Sequence, residues 1–278
     1  MSEPLLSVEG LRVSFPGKGW RAPEHEVLHG VDLHIEAGRT HGLVGGSGSG
    51  KTTIGRAILG LVPVAGGSIT FDGRPIHAAG ARQRRRLSRD IQVIFQDPFT
   101  SLNPSMTIGD TLAEPLLAQR LSSREARSRV AGLLDDVALP ADAMDRLPRE
   151  FSGGQRQRIA IARALAIGPR LIVCDEPVSA LDLTTQRTVL DLLQEVQRTT
   201  GVAYLFVSHD LAVVRHVSDV VSVIRRGEIV ESGTAVQVTE RPQHPYTRRL
   251  LLSAPVADPA AQRVRREAYR REFAGTEA

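Results

Sequence analysis

From Leu5 to Phe15, and again from Val27 to Ile35, apolar and polar side chains alternate. That period of two predicts a pair of antiparallel strands, each with one buried face. The stretch between them, Pro16 to Pro23, has the Pro and Gly content of a loop. Ser68–Phe71 runs into Asp72-Gly73, a strand entering a tight turn, and Val220–Ile224 faces Glu228–Val230 across Arg225-Arg226-Gly227 as a hairpin. Other apolar runs do not alternate: Ile91–Phe95, Leu171–Cys174 and Val202–Val207 read as strands covered on both faces. Helical spacing marks Ile54–Leu59, Arg156–Ile167 and Thr184–Arg198. From Ile108 to Arg149 the pattern is helical with no strand candidate, punctuated by Pro115, Pro140 and Pro148, which predicts an inserted helical subdomain. Beyond Gly233 come a short helix pattern, a loop through Pro242 and Pro245, and the segment Tyr246–Leu252. The charged tail from Asp258 has no core face and is expected to be partly disordered. Strands interleaved with helices predict an α/β protein.

With 278 residues the chain can bury a substantial core as one domain with a subdomain. No apolar run approaches the roughly 18 residues that cross a bilayer, and the start Met1-Ser2-Glu3-Pro4 is not a secretory signal, so a cytosolic location is expected. A single cysteine, Cys174, excludes an internal disulfide and a multi-cysteine metal site, including an iron–sulfur centre. The net charge of +4 and the run Arg82-Gln83-Arg84-Arg85-Arg86 raise the question of nucleic acid. No nucleic-acid module or aromatic platform accompanies that run, and a solvated helix face, or one turned to phosphate or anionic lipid, accounts for it.

Chemistry concentrates between Leu43-Val44 and the helix at Ile54, in Gly45-Gly46-Ser47-Gly48-Ser49-Gly50-Lys51-Thr52-Thr53. This is the spacing G-x-x-x-x-G-K-[ST] of a phosphate-binding loop. Glycines let the backbone fold around an anion, successive N–H groups point inward, and the helix N-terminus adds a favourable dipole. Lys51 is one of only two lysines, the other being Lys18, among 35 basic residues, so this position calls for a compact ammonium rather than a planar guanidinium. It is placed to reach the β- and γ-phosphates of a nucleotide, and the Thr52 hydroxyl to ligate Mg²⁺. Gln96 stands at a strand end, where a carboxamide reaches Mg²⁺ or water near a γ-phosphate. Asp175 and Glu176 follow the run Leu171–Cys174: the first suits Mg²⁺, through water, and the second suits the attacking water. Ser152-Gly153-Gly154-Gln155, ahead of a long helix, forms a second anion site at a capped helix start. His209 ends another strand run and can bond a γ-phosphate or serve structure. Phe15 can stack on a purine or fill the core.

The order of these signals resembles that of an ABC ATPase domain from about Leu5 to Gly233. The resemblance implies a P-loop NTPase fold: a RecA-like core with an antiparallel β subdomain over 1–96 and 156–235, a helical subdomain over 97–155, and a C-terminal extension over 236–278. It implies that Phe15 stacks on adenine, that Ser152 to Gln155 form the signature motif reaching the nucleotide of a second subunit, that Asp182 belongs to the D-loop, and that His209 is the switch histidine. Phe95-Gln96-Asp97-Pro98-Phe99-Thr100-Ser101-Leu102-Asn103-Pro104 and the late His244-Pro245-Tyr246-Thr247-Arg248-Arg249-Leu250-Leu251 look like the ATP-binding subunits of dipeptide, oligopeptide and nickel importers. That narrower likeness implies an ATPase on the cytoplasmic face of the membrane, working with permease subunits, a second ATPase subunit that is identical or paralogous, and, indirectly, an extracytoplasmic solute-binding protein. The loop Gln96–Pro104 would touch the permease. Phe151 stands where the signature more often has leucine, and Gly46 where an acidic residue is frequent. The alternative, a soluble ABC ATPase acting on nucleic acid or ribosomes, usually shows tandem ATPase domains, a long coiled coil or a charged linker, none of which is read in these 278 residues.

Overall fold

A computed structural model of the chain describes residues 3–17, 19, 23–97, 102–253, 263, 264 and 267. They form two compact units, one drawn from 1–34, 40–77 and 207–278, the other from 35–39 and 78–206.

In the first unit β1 (Leu6–Phe15), β2 (His25–Ile35), β4 (Gly66–Phe71) and β5 (Arg74–Pro75) form a sheet in the order β2-β1-β4-β5. The alternation in the sequence becomes one buried face: Leu6, Val8 and Val13 of β1 and Val31 and Leu33 of β2 are all at most 2% exposed. Asp72 and Gly73 both take positive φ (52° and 68°), the geometry that lets β4 turn into β5 with Phe71 opposite Arg74. The same unit holds β3 (Thr40–Val44), every residue of which is buried. β3 runs parallel to β9 (Val220–Arg225), and β9 runs antiparallel to β10 (Glu228–Thr234). His41 lies inside β3, satisfied at both ring nitrogens by the His34 carbonyl oxygen (2.7 Å) and the Ser222 hydroxyl (2.8 Å), and burial lowers its pKa. The helices of this unit are α1 (Lys51–Leu59), α7 (Leu211–Val217), α8 (Ala235–Glu240) and α9 (Pro245–Ser253).

The second unit carries β6 (Ile91–Ile94), β7 (Leu171–Asp175) and the start of β8 (Ala203–Ser208), in the order β8-β7-β6. β6 and β7 are parallel, with Ile91 opposite Leu171 and Ile94 opposite Cys174. Both strands therefore deliver the residues after them at the same edge. Cys174 is fully buried, and desolvation raises its thiol pKa far above the ordinary range. Around these strands stand α2 (Ala81–Asp90), α3 (Ile108–Ala118), α4 (Ser123–Asp136), two short 3₁₀ turns (Ala141–Asp145 and Pro148–Glu150), α5 (Gly153–Leu165) and α6 (Leu183–Thr200). α2, with its arginine run, buries no residue, the behaviour of a solvated face. Pro115 does not interrupt α3. An interior proline costs about 3 kcal/mol. Its neighbours Leu112 and Leu116 are buried to at least 97%, worth about 1.5–3 kcal/mol each, so packing outweighs the lost hydrogen bond.

Candidate functional site

The loop Gly45–Gly50 joins β3 to α1, and the residue at the helix cap is Gly50, which has no side chain to accept from the first turn. Gly48 and Gly50 adopt φ of 72° and 108°, accessible at low cost only to glycine. A Cβ on Gly50 would stand 2.6 Å from a methyl of Leu28. Val27 and the residues Gly48 to Thr53 line a cavity of about 180 Å³. Lys51 is 5% exposed, and its ammonium donates to the carbonyl oxygens of Gly45 (2.8 Å) and Gly46 (2.9 Å). The hydroxyl of Ser49 is buried with no hydrogen-bond partner among the described residues. Left-handed glycines, an uncapped helix start and an unmatched buried hydroxyl together fit a phosphate chain. Phe15 ends β1 half-buried in this unit, and His209 is exposed just after Ser208, where Asp210 caps α7 by accepting the Ala212 N–H at 2.7 Å.

At the edge of the second unit the structure brings Gln96 and Glu176 together. The Gln96 carboxamide donates to the Ser179 hydroxyl (3.3 Å) and makes a long contact with the Glu176 carboxylate (3.5 Å), and the Ser179 hydroxyl donates to the Glu176 carbonyl oxygen at 3.1 Å. Glu176 has φ of 49°. A non-glycine residue held in that region costs of order 1 kcal/mol or more and tends to mark a functional position. Buried Pro177 and Val178 immediately after it anchor the turn. Asp175 is half-buried at the last position of β7. Among the described residues no cluster of three His, Cys, Asp or Glu could hold a metal ion. Thr52 in the first unit, and Gln96 and Asp175 in the second, each carry an oxygen of the kind Mg²⁺ prefers; that ion is bound by few protein ligands together with phosphate oxygens and water.

Ser152 caps α5 as the sequence predicts. Its hydroxyl accepts the Gln155 N–H (3.3 Å) while the Gln155 side chain accepts the Ser152 N–H (2.9 Å). Gly154 is buried, and a Cβ there would run into the γ-methyl of Thr185 on α6. Thr185 is held in turn by Asp182, the cap of α6, whose carboxylate accepts two backbone N–H groups and the Thr185 hydroxyl (2.6 Å). That hydroxyl, foremost, lowers the Asp182 pKa. Phe151 is 4% exposed, with the Arg146 guanidinium 4.5 Å from its ring centroid, so the aromatic ring serves as packing.

Two contributors escape a reading of the sequence. The Gly46 N–H donates to the Tyr246 hydroxyl at 3.0 Å, and the Gly227 N–H to the Ser49 carbonyl oxygen at 2.9 Å. Each partner lies far along the chain, and no local pattern announces the pairing. Residues 98–101, Phe99 among them, and most of the tail beyond 253 lie outside the described residues.

The fold and the phosphate-binding loop are those of a P-loop ATPase. Residues 28–179 match the family model described as ABC transporter, and residues 230–274 match the one described as oligopeptide/dipeptide transporter, C-terminal region. The chain belongs to the ABC transporter family of ATP-binding proteins. It is 48% identical over 264 residues to the glutathione import ATP-binding protein GsiA of Pectobacterium atrosepticum, covering 93% of this chain and 42% of that protein. The Escherichia coli (strain K12) protein of the same name is 48% identical over 269 residues, covering 95% and 43%. The chain thus spans less than half the length of these curated relatives. Among solved structures, cbiO1 from Clostridium perfringens, part of the ABC transporter complex cbiONQ, superposes with a TM-score of 0.77 at 26% identity, covering 87% of this chain and 93% of that one. A dimeric post-hydrolysis state of the ATP-binding cassette MJ0796 bound to ADP and Pi gives 0.74 at 27% identity, covering 83% and 98%. The comparisons give no support to a nucleic-acid or ribosome role.

Proposed function

We propose that this chain is the ATP-hydrolysing subunit that powers import of peptides or a related small solute through a separate membrane permease. The observation that carries the ATPase is the loop Gly45–Lys51, with its left-handed glycines, uncapped helix and adjoining cavity. The importer reading is supported by the C-terminal region match and by relatives named for glutathione import. Lys51 exchanges its contacts with the Gly45 and Gly46 carbonyls for the β- and γ-phosphate oxygens. Thr52 and Gln96, and Asp175 through water, would hold Mg²⁺, which would neutralise charge on those oxygens. Glu176 orients the attacking water, His209 holds the γ-phosphate or that water, and Phe15 stacks on adenine. Ser152 to Gln155 address the nucleotide of a second ATPase subunit, and Asp182 forms the D-loop beside them. In this reading 97–155 is the helical subdomain, 1–96 with 156–235 the ATPase core, and 236–278 the extension.

No helix among the described residues is long and apolar enough to cross a membrane, in keeping with a peripheral subunit that borrows its membrane span from the permease. The permease, an identical or paralogous ATPase and an extracytoplasmic solute-binding protein complete the assembly. The test is reconstitution of the chain with its co-purifying membrane chains in vesicles. ATP hydrolysis stimulated by the solute-loaded binding protein is expected. Hydrolysis without solute movement, or co-purification with nucleic acid in place of membrane chains, would overturn the importer reading.

A further inference from the structure

Ser47 and Gly48 are the exposed crest of the phosphate-binding loop, and the residues on either side of them are tied to the C-terminal part of the first unit. On one side the Gly46 N–H donates to Tyr246 Oη (3.0 Å); on the other, Ser49 O accepts the Gly227 N–H (2.9 Å). Gly46 O is also engaged, by Lys51 Nζ at 2.9 Å. Both polar groups of Gly46 are therefore committed inside the protein, its N–H to a tyrosine and its carbonyl oxygen to Lys51.

Tyr246 is itself held from several directions. The Glu231 carboxylate accepts the N–H groups of Gln243 (2.7 Å) and His244 (3.1 Å), fixing the start of α9. His244 Nδ1 accepts the Tyr246 N–H at 3.1 Å, and the neighbouring Thr247 is fully buried. The Arg225 guanidinium lies 5.1 Å from the Tyr246 ring centroid, a cation over an aromatic face, on the same hairpin that supplies Gly227. The hydroxyl is thus a fixed acceptor presented by a rigid cluster.

We infer that Tyr246 is a positioning residue for nucleotide binding: its hydroxyl pins the Gly45-Gly46 edge of the loop in the shape that receives phosphate. Adjacent glycines lose the most conformational freedom on ordering, and a loop already ordered does not meet that cost when nucleotide arrives. The inference deepens the ATPase reading and rests on it. Because the bond is to the loop and not to the reacting atoms, its loss weakens binding of ADP and ATP alike and leaves the chemical step unchanged.

The experiment is calorimetric titration of the purified full chain with Mg-ADP, alongside ATP hydrolysis as a function of ATP concentration, for the wild type and Tyr246→Phe. Loss of one neutral hydrogen bond predicts about fivefold weaker ADP binding and a KM raised by about as much, with kcat changed by less than about twofold. The split between a raised KM and an unchanged kcat is the readout that a merely structural tyrosine would not move. Unchanged affinity in Tyr246→Phe, or a fall in kcat and thermal stability with affinity intact, overturns the inference alone. Failure of the wild type to bind either nucleotide overturns the ATPase reading, and this one with it.

Discussion

Glu176 is held at φ 49° against Gln96 and Ser179, a backbone cost in keeping with the proposed role of orienting the attacking water. Replacing it by Gln keeps size and polarity but removes the negative acceptor. We expect Glu176→Gln to bind ATP as the wild type does and to lose about 10²-fold or more in turnover, read by phosphate release against nucleotide binding. His41 supplies a second prediction, of stability. Burial lowers its pKa from the ordinary 6.5, so below that value the unfolded chain binds a proton that the folded chain resists. Its contribution is therefore fully present above about pH 6.5 and is lost as pH falls toward the lowered folded pKa. The facing groups, the His34 carbonyl and the Ser222 hydroxyl, do not titrate, and His34 itself disfavours the charge. In urea melts at pH 7.5 and 5.5, His41→Gln should lower the midpoint at the higher pH and shrink the difference between the two.

At the scale of elements, α5 and α6 meet where Gly154 leaves room for the Thr185 methyl, while the Thr185 hydroxyl serves Asp182. One packing contact thus joins the Ser152–Gln155 segment to the turn after β7. Gly154→Ala forces overlap in a buried contact and should destabilise the protein by about 1–3 kcal/mol. Thr185→Ser, which removes the methyl and keeps the hydroxyl, should restore most of that loss in the double variant. Equilibrium denaturation of the four proteins checks the cycle, and additive losses would show that the methyl is not the cause. The cap at Ser152 and the turn at Asp72-Gly73 were legible from residue type alone; Ser122, Asp182 and Thr234, which cap helices in the same way, emerge from the structure. Pro115 inside α3 was not legible either, because the leucines that hold α3 straight across it are buried by tertiary contacts.

At the scale of the molecule, the proposed role of Ser152 to Gln155 on the nucleotide of a second subunit requires a partner chain, and two copies related by a two-fold axis can set each such segment against the other chain's phosphate-binding loop. Mixing Lys51→Ala with Ser152→Arg chains, each inactive alone, should restore hydrolysis at one site of each mixed dimer when the partner is identical; no recovery at any ratio, with no ATP-dependent crosslink from position 152 to the partner's loop, would place Ser152 on its own chain's nucleotide. The spacing Gly45–Thr53, the strand-end Gln96, Asp175 and Glu176, and the cap at Ser152 were readable because each depends on a few consecutive residues whose backbone chemistry is local. Tertiary structure alone decided that Gln96 meets Glu176 across 80 positions, that Thr185 requires Gly154, and that Tyr246 reaches Gly46 across 200. The physical reason is common to all three: a hydrogen bond or a van der Waals contact is set by distance in space, and periodicity along a chain carries no information about which distant residue will arrive there.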